Sequence, residues 1–153
     1  MRPTDLLSHP EGGRFKEVFR SPVVVKHRDG TTKPAITHIY YSLKEGEVSK
    51  FHRLTSDEVW NLYRGHGVHL YQWDGSQGSP RCITLSAEQG TFCHVVPAGC
   101  WQAAVPTDGD VLLGCSVAPG FEFCDFELLD HQAEAALMLM TVAPKLDYLI
   151  FNG

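Results

Sequence analysis

Apolar residues recur along this chain in short runs with a period of two, bounded by glycine, proline and Asp-Gly signals. That pattern predicts strands rather than helices. Residues 18–27 (VFRSPVVVKH) read as one β-branched strand, closed by the Asp29-Gly30 turn. Residues 37–43, 47–54 and 57–65 follow as three more. In residues 67–75, Val68 and Leu70 alternate with His69, Tyr71 and Trp73 before a second turn at Asp74-Gly75. RCITLS, TFCHVVP and DVLLGCSVAP continue at regular spacing, and FEFCDFELL reads as a last strand after Pro119-Gly120. Helix is expected in two places. Thr4 can cap a short helix through Leu6 and Leu7. Residues 131–140 (HQAEAALMLM) carry good helix formers, with Asp130 as N-cap and Pro144 just beyond the end. Many short strands with regular turns predict an all-β sandwich, barrel or jelly roll.

Length and composition narrow the class. A chain of 153 residues with 43% hydrophobic and 20% charged residues is expected to fold as one domain, 1–153. No apolar run approaches the roughly 20 residues that span a bilayer, and residues 1–13 lack an apolar core typical of a secretory leader. A cytoplasmic protein without membrane contact is the expectation. The net charge is −5, and residues 82–153 hold one basic side chain, Lys145, against nine acidic ones. Basic residues form no run of three, so nucleic-acid binding is not expected. The five cysteines are odd in number and none are spaced C-x-x-C, so neither a zinc ribbon nor a redox pair is supported.

Candidate chemistry centres on His52 and Glu58. Gly46 precedes His52 by six residues, Glu58 follows it by six, and Gly65 follows Glu58 by seven. Two neighbouring strands can aim His52 and Glu58 into one interior, where they would suit metal ligation, acid–base work or a structural hydrogen bond. Further on, Gly90 and Pro97-Ala98-Gly99 lead into Trp101-Gln102. Strand alternation puts Lys50 on the face of His52, and Trp60 on the face of Glu58. It leaves Arg53 on the opposite face. His38 and Tyr40 share a face one strand earlier, and His69 and His94 lie on strands of their own. His9, His27, His66 and His131 read as turn or surface residues.

These two signatures resemble the metal-binding motifs of the cupin superfamily, with Leu54 at the second-histidine position and Gln102 in place of the last histidine. The segments His9-Pro10-Glu11-Gly12-Gly13, 51–60, 96–104 and 114–128 resemble the cupin_5 family in particular, over about residues 5–151. The resemblance implies a double-stranded β-helix (cupin jelly roll) with short N- and C-terminal helical segments, a homodimer through paired sheets, and a fold like that of the sugar-nucleotide 3,5-epimerases. It implies a pocket for a nucleoside diphosphate or nucleotide sugar. There His52 would act as general base with Glu58 as its partner, and Tyr40 or Tyr63 would supply the acid. His38, Lys50, Arg53, Trp60, Trp101, Gln102, Phe121 and Glu122 would hold ligand. Two alternatives remain open: a non-catalytic nucleotide- or sugar-binding cupin, and a metal-dependent cupin such as a dioxygenase. With two of the four usual ligands replaced, no cofactor is expected for the first two; a divalent metal belongs to the third.

Overall fold

The computed structural model describes residues 3–153. Two antiparallel sheets face one another. The larger has the order β1 (Leu7–Ser8), β2 (Arg14–Arg20), β5 (Thr37–Leu43), β12 (Val111–Ala118), β7 (Asp57–Arg64), β10 (Cys93–Val96). The smaller runs β13 (Phe126–Leu128), β6 (Ser49–Leu54), β11 (Trp101–Pro106), β8 (Gly67–Trp73), β9 (Arg81–Ser86). A separate hairpin pairs β3 (Val24–Lys26) with β4 (Thr32–Pro34) across the expected Asp29-Gly30 turn. The non-consecutive neighbours β2-β5-β12-β7 and β6-β11-β8 give the jelly-roll arrangement that the strand pattern anticipated.

Period-two alternation builds the core between the sheets. Tyr41, Leu43, Trp60, Leu62, Leu113 and Cys115 from the larger sheet meet Val68, Leu70, Leu85 and Ala104 from the smaller. Each such large side chain contributes roughly 1.5–3 kcal/mol when fully removed from water. The smaller sheet has a second apolar layer on its outer face. There Phe51, Trp73, Trp101 and Ala103 pack under the helix α1 (Glu134–Val142) and under Leu149 and Ile150. The C-terminal segment therefore backs the sheet that carries His52.

Four local expectations are corrected. Residues 18–27 are not one strand: β2 ends at Arg20, because Pro22 has no N–H to continue a ladder. Leu7–Ser8 pairs with Phe15 and Arg14 instead of forming a helix, since too few residues precede Pro10 to repay helix nucleation. Phe123–Asp125 forms a 3-10 turn, closed by the Asp125 N–H on the Glu122 carbonyl, before β13 begins. The helix starts after Ala133; Asp130 accepts the Gln132 N–H on its side chain and closes the preceding turn.

Candidate functional site

The cavity lies between the sheets at the end where the chain crosses from β1 to β2. Its walls include His9, Glu11, Phe15, Thr37, Tyr41, His52, Leu54, Glu58, Trp60, Phe121 and Phe126. The cavity volume is about 30 Å³.

A β-bulge sets its chemistry. Gln102 pairs with His52 but Ala104 pairs with Ser49, so two steps on β11 span three on β6. The extra residue breaks strict alternation. Ser49 and His52 both face inward, while Phe51 joins the outer layer. Lys50 is thereby turned away from the cavity, and its Nζ donates to the Tyr148 and Ile150 carbonyls. The inward Lys50 expected from alternation is corrected by this bulge.

Glu11 enters from the loop His9–Gly13. The Lys50 N–H donates to the Glu11 carbonyl at 2.8 Å, and the Tyr41 hydroxyl donates to the Gly12 carbonyl at 2.6 Å. Gly12 has φ +110°, and a Cβ there would stand 2.2 Å from the Val48 carbonyl oxygen. Only glycine allows this approach. So pinned, Glu11 places Oε1 2.9 Å from the donating Ser49 hydroxyl, and Oε2 3.1 Å from His52 Nε2 and 3.4 Å from His9 Nδ1.

Backbone hydrogen bonds assign the protons around this oxygen. His52 Nδ1 lies 2.7 Å from the Lys50 carbonyl, which can only accept, so Nδ1 carries the hydrogen and Nε2 a lone pair in the neutral ring. His9 Nδ1 accepts the Glu11 N–H, so it too presents a lone pair. Glu11 Oε2 faces two lone pairs, and a proton on Oε2 resolves the contact. Burial agrees. It raises the Glu11 carboxyl, lowers His9, and lowers His52 to about 4. The contacts and the directions of these shifts together favour a neutral Glu11 carboxyl set against a neutral His52 imidazole. His9 lies within an aromatic group of Phe15, Tyr41, Phe121, Phe123 and Phe126, with ring centroids 4.9–6.4 Å away. Its assignment to a turn surface is corrected: the side chain is 5% exposed.

Across the cavity, Trp60 Nε1–H donates to Gln102 Oε1 at 2.7 Å, and Gln102 Nε2 donates to Glu58 Oε1 at 2.9 Å. All three side chains are buried. Burial and the nearby Glu11 raise the Glu58 carboxyl to about 8. His52, Glu58, Trp60, Gln102 and Phe121 thus belong to one region. His52 takes its orientation from Lys50 and Glu11 rather than from Glu58.

The remaining candidates lie elsewhere. His38, Tyr40 and Tyr63 stand on the outer face of the larger sheet. His38 bonds Ser116 Oγ at 2.7 Å and the Tyr63 hydroxyl at 2.9 Å, with Tyr40 packed edge-on against Tyr63. The interior tyrosine is Tyr41, one residue along, because the register places Thr37, Ile39 and Tyr41 inward. Arg53 lies over the Trp101 ring at 4.5 Å and bonds Glu127; both are on the outer side of the smaller sheet, not at the mouth. Glu122 pairs with Arg20 at the surface. The sequence reading missed Glu11 and His9 as site residues, although His9-Pro10-Glu11-Gly12-Gly13 had stood out as a motif. Two adjacent glycines beside a carboxylate were the available signal.

The family model for the cupin superfamily (Cupin_5, DUF985) matches residues 1–129. The chain belongs to the Cupin_5 family. An uncharacterised protein of Saccharomyces cerevisiae is 29% identical over 146 residues, covering 84% of this chain and 73% of the yeast protein. A hypothetical protein from Leishmania major superposes with TM-score 0.78 at 29% identity, covering 95% of this chain and 90% of that one. A Shewanella oneidensis protein of known crystal structure superposes with TM-score 0.79 at 30% identity, covering 97% and 93%.

Many cupins hold a metal at this position, and the donor set here does not fit one. Leu54 offers no donor. The Gln102 amide oxygen is committed to Trp60, His52 Nδ1–H to a carbonyl, and His52 Nε2 to Glu11. Among the described residues no group of three His, Cys, Asp or Glu side chains is arranged to hold a metal ion. No helix among them is long and apolar enough to cross a membrane.

Proposed function

We propose that this Cupin_5 protein is a proton-transfer enzyme of the isomerase or epimerase type, in which His52 and Glu11 form the acid–base couple. The observation that carries the reading is the 3.1 Å contact between Glu11 Oε2 and His52 Nε2 in the apolar cavity between the sheets. When a carbonyl ligand enters, Glu11 gives its proton to the carbonyl oxygen. His52 Nε2, freed of that bond, takes the acidified C–H proton. The ligand becomes an enol, and the couple becomes a carboxylate–imidazolium pair that stabilises itself at 3.1 Å. Return of the protons to the other face or to the neighbouring carbon gives the isomer. Glu11 thus fills the acid role first assigned to Tyr40 or Tyr63.

A nucleotide sugar remains the substrate class we favour. The sugar end would enter the cavity, and Phe15, Phe121, Phe123 and Phe126 at its rim offer ring faces for a base; Phe123 is half exposed. A homodimer through the outer face of the larger sheet is supported by exposed Tyr63 and Val95 on neighbouring strands. Five free thiols suit the reducing cytoplasm.

The test is hydrogen exchange. Nucleotide sugars and simple ketones are incubated with the protein in deuterated water and followed by NMR. Exchange of a ligand C–H proton that disappears in His52→Ala and Glu11→Gln supports the reading. Binding without exchange across the panel leaves a binding protein and defeats it.

A further inference from the structure

The cavity presents hydrogen-bond donors. Among the described residues its lining contains neither lysine nor arginine. Arg20, near the rim, is saturated by Glu17, Glu122 and the Phe121 carbonyl. Lys33 is spent on Asp125. Among the lining polar groups, most are committed. Tyr41 donates to Gly12, and His52 and Glu11 bond one another. The Thr37 hydroxyl oxygen accepts the Phe121 N–H at 2.9 Å, which leaves its own O–H to give.

Glu58 is the other open group. The orientation of Gln102 is decided by Trp60, which can only donate. Gln102 Nε2 must then donate to Glu58 Oε1. Among the described residues Glu58 Oε2 accepts no well-formed hydrogen bond, the Trp60 indole being only close by, yet it is not among the enclosed polar atoms that lack a partner. It therefore opens onto the cavity. Glu58 is buried in an apolar lining without a described lysine or arginine, which disfavours its ionised form; since Oε1 accepts from Gln102, the hydrogen of the neutral carboxyl sits on Oε2.

Resting on the reading of this cavity as the ligand site, we infer that Glu58 selects the ligand's chemical class: the group that enters is uncharged and bears an acceptor oxygen, a carbonyl above all, which is first bound by hydrogen bonds from Glu58 Oε2 and Thr37 Oγ1, with Glu11 still on His52, and receives the Glu11 proton only in the later transfer step. A carboxylate or phosphate would bring an unneutralised charge into the apolar space, and a cation would require Glu58 to ionise beside Glu11. Any anionic part of a natural substrate stays outside the rim.

Three planar molecules of four heavy atoms separate the cases: acetone, acetate and acetamidinium. Each is titrated at pH 7 into ¹⁵N-labelled protein, and the Trp60 indole N–H is followed, since it joins Glu58 through Gln102. Acetone is expected to move that signal to saturation, with acetate and acetamidinium at least tenfold weaker. Glu58→Gln presents an amide donor to the cavity while still accepting from Gln102, and is expected to keep acetone binding. Glu58→Leu is expected to lose it. Preference for acetate or acetamidinium, no acetone response, or loss of acetone binding in folded Glu58→Gln would each overturn the inference. Deuterium exchange of acetone, read in the same samples, tests the enzymatic proposal separately. Binding without exchange defeats proton transfer and leaves the ligand class standing. Exchange with acetate preferred does the reverse.

Discussion

Glu58→Gln also tests the electrostatics of the cavity through stability. Glu58 moves from 4.5 in the unfolded chain to about 8 in the folded one. The folded state therefore binds the extra proton between these limits. Stability from this group is complete below pH 4.5 and is lost as pH rises through 8. At about 1.4 kcal/mol per unit, the full loss is on the order of 5 kcal/mol. His52 works in the opposite sense. Its pKa falls from 6.5 to about 4, so its contribution is complete above 6.5 and is lost as pH falls through 4. Between pH 4.5 and 6.5 the two slopes cancel. Between 6.5 and 8 only the Glu58 slope remains, worth about 2 kcal/mol. Glu11, also raised, acts in the same sense as Glu58, and His9, lowered, in the same sense as His52. Urea unfolding at fixed protein concentration, at pH 5.5, 6.5, 7.5 and 8.5, measures the profile. The wild type is expected to hold level to about 6.5 and then decline; Glu58→Gln is expected to decline less. A wild type level or rising across 6.5–8, or a variant as steep as the wild type, refutes the neutral-carboxyl picture.

Other substitutions probe the supports of the site. Gly12→Ala forces a Cβ against the Val48 carbonyl at positive φ; stability is expected to fall by about 1–3 kcal/mol. The His52 pKa, followed by NMR, should rise toward its ordinary value as the loop opens to water. Gln102→Leu leaves the Trp60 N–H buried without an acceptor, at a cost of about 1–3 kcal/mol in urea unfolding. Lys33→Met strands the Asp125 carboxylate of a mostly buried ion pair, and a loss of about 3 kcal/mol is expected by the same assay. The double change with Asp125→Leu should recover much of it.

The sequence made the fold legible because its sheets are half-buried, and alternation such as Val68/Leu70 against His69/Tyr71 records which side faces the core. His52, Glu58, Trp60 and Gln102 were legible for the same reason: each sits on a regular stretch of strand. Lys50 was misplaced because one bulge residue in β6 changes the parity of everything before it. Tyr40 and Tyr41 could not be told apart by residue type, since parity alone separates the outer from the inner ring. Glu11 was hidden for another reason. It lies on a loop, where no period applies, and it reaches the site only because Gly12 and Gly13 let the backbone press against β5 and the segment before β6.

This loop carboxylate explains how the site remains coherent with Leu54 and Gln102 at the positions where cupins usually place histidine. In a cupin with a metal, the ion organises the histidines and balances the glutamate. Here neither position offers a ligand, and two buried carboxyls share a cavity that no described lysine or arginine lines. In the proposed resting state protons take the place of positive charge: one on Glu11, against His52 Nε2, and one on Glu58, whose other oxygen is held by Gln102. Gln102 is therefore not a vacant ligand position. Its amide accepts from Trp60 and donates to Glu58, a pairing in which a histidine could not satisfy both partners at the same two points. Gln102→His should therefore lower stability, and it should not create tight binding of iron, manganese or zinc. Retention of a stoichiometric metal ion by that variant after dialysis, with His52 still neutral by NMR, would show that the protons are substitutes easily displaced rather than the design of the site.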